Sequence, residues 1–129
     1  SAILYVILNR CKMGNFQELR VWQLAKDLAV KIYRLTSNKE FSKDYGFKDQ
    51  IQRSSISIPS NIAEGDELDT DKQSVKYFYI AKASSAELLT QIILGYEIGY
   101  IDKNLADNLM DDCRIISVML TKLIRARST

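Results

Sequence analysis

Apolar side chains recur along this chain every three or four residues, in four blocks set apart by short polar or glycine-bearing breaks, and that rhythm predicts four helices. The first is expected from about Gln17 to Thr36, with Val21, Trp22, Leu24, Ala25, Leu28, Ala29, Ile32, Tyr33 and Leu35 covering about half its circumference. Arg20, Gln23, Asp27, Lys31 and Arg34 take the opposite face, where Asp27 is expected to pair with Lys31 one turn on. The second is expected from Phe47 to Ala63 with Gly65 as its C-cap. The third starts at Asp71, because Thr70 and Gln73 have the spacing of a capping box, and ends at Gly95 and Gly99. Its core face is read as Phe78, Ala81, Ser85, Leu88, Leu89, Ile92 and Tyr96, with a second apolar set, Val75, Tyr79, Ala86 and Ile93, on the far side. The fourth follows an Asp102 cap, from about Lys103 to Arg125, with the stripe Leu105, Leu109, Ile116, Leu120 and Leu123.

The second block is the centre of the pattern. Phe47, Ile51, Ile58 and Ile62 share one face, while Gln50, Ser54, Ser57, Asn61 and Glu64 form a polar stripe beside it. Pro59 removes an amide donor and crowds the carbonyl of Ser55, so a helix through it is expected to bend, with serine hydroxyls near enough to bond freed carbonyls. On the third helix Tyr77, Ser84, Glu87 and Gln91 form a matching stripe that can face Ser57, Asn61 and Glu64.

Length and composition narrow the class. The 129 residues suit one domain, and five glycines with one proline are too few for many strand turns, so the fold class is all-α. Residues 1–15 are read as an N-terminal extension, with Met13 a natural start, and 16–127 as the bundle domain. The apolar run Ala2 to Leu8 is far short of the roughly 20 residues that span a bilayer and lacks the flanks of a signal peptide; no membrane association is expected. Packing of that run on a surface groove is the reading taken here. Cys11 and Cys113 have neither disulfide-framework nor zinc-site spacing, which fits a reducing cytoplasm.

Zero histidines removes serine–histidine and cysteine–histidine catalysis and the Glu-x-x-His pairs of diiron bundles. The glycines are scattered singly, so there is no phosphate loop. No cofactor, no metal and no enzymatic activity are expected. The remaining constellation is the polar stripe, Ser57, Asn61, Glu64, Ser84 and Glu87. It reads either as a paired-carboxylate site or as a hydrogen-bond network fixing helix register; the lack of a histidine or third acidic ligand favours the network. A net charge of +2 is too small to argue for nucleic acid globally, but cations gather on the first helix and the C-terminal tail. Seven tyrosines and Trp22 at helical spacings read as core or interface rather than base-stacking residues.

The segments Arg20–Ala29, Gly46–Arg53, Ser57-Ile-Pro-Ser-Asn-Ile-Ala-Glu-Gly65 and Ala83–Gln91 resemble, in order and spacing, the bacterial four-helix-bundle proteins encoded in intervening sequences of large-subunit ribosomal RNA genes. That family also resembles the accessory variability protein of diversity-generating retroelements, a barrel-shaped pentamer that binds a reverse transcriptase and nucleic acid. The resemblance implies an antiparallel up-down four-helix bundle assembling into a homopentamer. Independently, the first helix is apolar over half its surface and the third on two sides, more than a free bundle needs, which predicts contact between copies.

The expected function is therefore a non-enzymatic oligomeric adaptor associated with RNA or DNA, with phosphate contacts from Arg20, Lys31 and Arg34 and, at the tail, Lys122, Arg125 and Arg127. The alternative is a protein-binding scaffold without direct nucleic-acid contact.

Overall fold

The computed structural model describes residues 1–4 and 14–128. Four long helices carry the fold: α1 (Arg20–Leu35), α2 (Tyr45–Glu67), α3 (Asp71–Glu97) and α4 (Lys103–Ser128). Short 3-10 turns at Phe16–Glu18 and Phe41–Lys43 precede α1 and α2, and no strand occurs among the described residues. Contacts run around a square, α1 with α2, α2 with α3, α3 with α4 and α4 with α1. Residue pairs across a seam run in opposite sequence directions: between α2 and α3, Ser54 meets Gln91 and Ser57 meets Ser84, and from α3 to the last segment Phe78 meets Arg127 while Gly95 lies against Ile101. The fold is an antiparallel up-down bundle, as short loops between long helices require.

The core is aliphatic with two fully buried phenylalanines, Phe41 and Phe78. Each helix supplies one stripe, including Leu28 and Ile32 of α1, Ile51, Ile58 and Ile62 of α2, Leu88 and Ile92 of α3, and Leu109, Ile116 and Leu120 of α4. Phe41, in the connection after α1, packs against Phe47 and Tyr100 with ring centroids 5.2 Å away, and the Tyr100 hydroxyl donates to Asp44 Oδ2 at 3.0 Å. One end of the bundle is thereby closed by its two loops. That hydrogen bond to the carboxylate raises the Tyr100 pKa above its usual value, with burial and the Asp44 charge adding to it.

The caps at Thr70 and Asp102 form as expected: Gln73 N–H donates to Thr70 Oγ1 at 3.3 Å and Leu105 N–H to Asp102 Oδ1 at 2.9 Å. Several boundaries move. Leu19 is extended, so α1 starts at Arg20 rather than Gln17. Gly65 is no C-cap: α2 continues to Glu67 with Gly65 buried inside it, where an added Cβ would lie 2.8 Å from a Phe78 ring carbon. Gly95 likewise lies inside α3, close against Ile101, and only Gly99, with φ of 89°, takes the left-handed turn that ends the helix. Both inner glycines admit close neighbours instead of breaking the chain. α2 also runs through Pro59 without interruption, and Ser54 and Ser55 turn their hydroxyls back onto the carbonyls of Ile51 and Gln52.

Two assignments of faces are corrected. Tyr96, expected in the core, is 43% exposed, since Gly95 takes the inward position in that turn. Asp27 pairs with its neighbour Lys26 at 2.7 Å, not with Lys31, which reaches across to Asp112 on α4 at 2.9 Å. The Lys26 ammonium holds the Asp27 carboxyl below its ordinary range. Of the apolar N-terminal run, Ile3 and Leu4 are exposed; residues 5–13, including Cys11, lie outside the described residues.

Candidate functional site

The seam between α2 and α3 holds the polar stripe. Ser57 Oγ and Ser84 Oγ stand 2.8 Å apart, and Asn61 Nδ2 donates to Ser57 O at 2.7 Å and to Ser57 Oγ at 3.0 Å. One turn along, the buried Ser54 hydroxyl donates to Gln91 Oε1, and Gln91 Nε2 donates to Glu87 Oε1 at 3.4 Å. Every fully buried side-chain polar atom among the described residues has a partner. The structure thus brings together Ser57, Asn61 and Ser84, and adds Ser54 and Gln91.

Glu64 and Glu87 are both exposed, and Glu87 meets the stripe through Gln91. Amides and hydroxyls take the inner positions because burying a carboxylate costs several kcal/mol more than burying either of those. No group of three His, Cys, Asp or Glu that could hold a metal ion occurs among the described residues. The stripe is a hydrogen-bond seam between two helices.

The cations divide into two groups. Lys31 is engaged with Asp112, and Arg127 donates to Asp66 at 2.7 Å while its guanidinium lies 5.2 Å from the Phe78 ring centroid. Both are tied into seams between helices. Arg20, Arg34, Lys122 and Arg125 are exposed. On α4, Lys122 shares an open surface with Arg114, Ile115, Val118 and Met119, and Arg125 follows one turn later on the same side. Arg114 pairs with Asp111 at 3.3 Å with both side chains more than half exposed, a weak pairing. From Cys113 to the end the sequence contains no acidic side chain.

A second surface lies between α1 and α2. Ala29, Val30, Tyr33, Ile56 and Pro59 floor a groove of about 450 Å³, with Lys26 and Arg34 on its rim. Sequence reading missed it, placing Ala29 and Tyr33 among a broad apolar half of α1 and passing over Ile56. The available signal was Ile56, an apolar residue outside both the polar stripe and the core stripe of α2. Arg114 was not among the expected contact residues, although the spacing from Arg114 to Val118, Lys122 and Arg125 marks one helix face.

The 23S rRNA-intervening sequence protein family matches residues 17–122. The chain belongs to that family. It is also similar to the crystal structure of a protein of unknown function from the S23 ribosomal protein family of Bacteroides thetaiotaomicron, with a TM-score of 0.75 and 24% identity over 81% of this chain and 97% of that one. That likeness shows the shared fold. No curated protein matches the chain. Among the described residues no helix is long and apolar enough to cross a membrane.

Proposed function

We propose that this family member is a non-enzymatic, oligomeric adaptor that associates with RNA through the outer face of α4. The observation that carries this reading is the exposed set Arg114, Lys122 and Arg125 on a half-helix without acidic side chains. Arg20 is exposed at the same end of the bundle, because α1 begins where the antiparallel α4 finishes. Arginine and lysine at such positions neutralise phosphates without reading bases, and the exposed Ile115 and Val118 between them offer apolar contact to sugars or unstacked bases. The family name, taken from intervening sequences of 23S rRNA, makes RNA the first ligand to test.

A patch of three cations binds weakly alone. Assembly of copies, five in the ring that the resemblance implies, repeats the patch and raises overall binding by avidity. Such binding falls steeply with salt, because each phosphate contact releases counterions. The test is filter binding of single-stranded RNA between low and physiological salt. Wild type is expected to show a linear log–log decline, and Lys122→Ala to shallow its slope by roughly 0.7 per copy engaged. Absence of RNA binding at low salt, with one protein recovered from nuclease-treated host extract, would instead establish the protein-scaffold alternative.

A further inference from the structure

The groove between α1 and α2 and the outer face of α3 have matching chemistry on different sides of one bundle. The groove is apolar at its floor and its rim cations are Lys26 and Arg34. Arg34 makes no ion pair among the described residues, and the exposed contact of Lys26 with Asp27 can be exchanged at little cost. The far half of α3 turns Ile80, Ile93 and Leu94 outward, with Ala83 and Ala86 leaving room between them. Its exposed charges past Ala83 are Glu87 and Glu97. Among the described residues Glu87 accepts one long bond, from Gln91 at 3.4 Å.

The charges also match in spacing. Glu87 and Glu97 are ten residues apart, about 15 Å along a helix, and Lys26 and Arg34 eight residues apart, about 12 Å. Lysine and arginine side chains easily span that difference. Apolar faces of this size on several helices are more than a single small bundle ordinarily leaves wet.

We infer that the α3 ridge of one copy docks in the α1–α2 groove of the next, with Glu87 and Glu97 against Lys26 and Arg34. The inference rests on the oligomeric part of the function proposed above and names its interface. The two surfaces are different, so the contact is head-to-tail: each copy gives a ridge and receives one, and the series closes into a ring when the rotation between copies divides a full turn. Tyr33, half-exposed on the groove wall, is the aromatic anchor at the centre of the contact.

The experiment uses the full chain, sized by light scattering, with far-UV circular dichroism confirming helicity of each variant. Wild type is expected to run as a multiple of 14.8 kDa. A groove variant, Lys26→Glu with Arg34→Glu, and a ridge variant, Glu87→Arg with Glu97→Arg, should each fall to a single chain. Mixed together they should assemble again beyond a dimer, because the intact ridge meets the intact groove and the reversed ridge meets the reversed groove. A chain carrying all four changes should recover the wild-type mass. Variants that keep the wild-type mass, or a mixture that stays as single chains, would overturn the interface while leaving an oligomeric adaptor in place. A wild type that is a single chain at micromolar concentration would overturn the interface and the oligomeric reading together. RNA binding lost from an intact ring would overturn only the α4 proposal.

Discussion

Arg127, near the end of α4, donates to Asp66 of α2 at 2.7 Å and lies over the ring of Phe78 on α3, so one side chain ties three helices at the end of the bundle away from Tyr100. Its side chain is 25% exposed and that of Asp66 12%, dry enough for a charge-assisted hydrogen bond to contribute. Removing either partner leaves the other charge partly buried. Arg127→Ala and Asp66→Ala should each destabilise by about 1–3 kcal/mol in urea titrations. RNA affinity of the folded Arg127→Ala protein should stay near wild type, and a large affinity loss at unchanged stability would return Arg127 to the binding surface.

Glycines in α2 should respond in opposite directions. A Cβ at Gly65 would lie 2.8 Å from Phe78 Cε1 and 3.1 Å from the Ser74 carbonyl, so Gly65→Ala forces α2 and α3 apart at a cost of about 1–3 kcal/mol. Gly46, near the start of the same helix, has nothing within 4 Å of an added Cβ. Gly46→Ala should be neutral or stabilising, by up to about 1 kcal/mol from helix propensity. Thermal melts of the two variants decide it, and equal shifts would mean that the close approach at Gly65 has no energetic consequence.

Why Gly65 misled sequence reading is physical. A glycine after an apolar run is equally suited to end a helix or to let a second helix approach, and the difference lies in Phe78, thirteen residues on in another element. Helix number, the Thr70 and Asp102 caps and the α2 polar stripe were legible because each depends on local spacing alone. Partners across seams were not. Lys31 had Asp27 one turn away in sequence, yet bonds Asp112, and Arg127 looked like a tail cation until the fold brought Asp66 and Phe78 beneath it. The docking groove was hidden for the same reason, since its floor is shared between two helices.

The seam of hydroxyls and amides between α2 and α3 should behave as one unit. Asn61 Nδ2 touches Ser57 at both its carbonyl and its hydroxyl, and that hydroxyl in turn meets Ser84. Asn61→Ala and Ser84→Ala are each expected to cost about 1–2 kcal/mol by leaving the Ser57 hydroxyl short of a partner. The double variant should cost less than the sum, with a coupling of at least about 0.5 kcal/mol. Strict additivity in urea titration would show that the two contacts act independently.

Cys113 offers a pH test of the core. Its thiol is buried in α4, and burial foremost, with the nearby Asp112 charge, pushes its pKa up to about 12 from 9.0, Arg114 opposing. The folded state therefore keeps a proton that the unfolded chain loses. Between pH 9 and pH 12 the unfolded state binds fewer protons, so stability falls as pH rises through that window and is fully retained below it. Cys113→Ala should remove this contribution, so the stability difference between wild type and the Cys113→Ala variant should shrink above pH 9 and stay constant between pH 6 and pH 8. In a Cys11→Ser background, where Cys113 is the single thiol, a disulfide reagent at pH 8 should react only after unfolding, because the thiolate is the nucleophile. Rapid labelling of the folded chain, or a difference that does not vary up to pH 11, would place the thiol in contact with water rather than in the core.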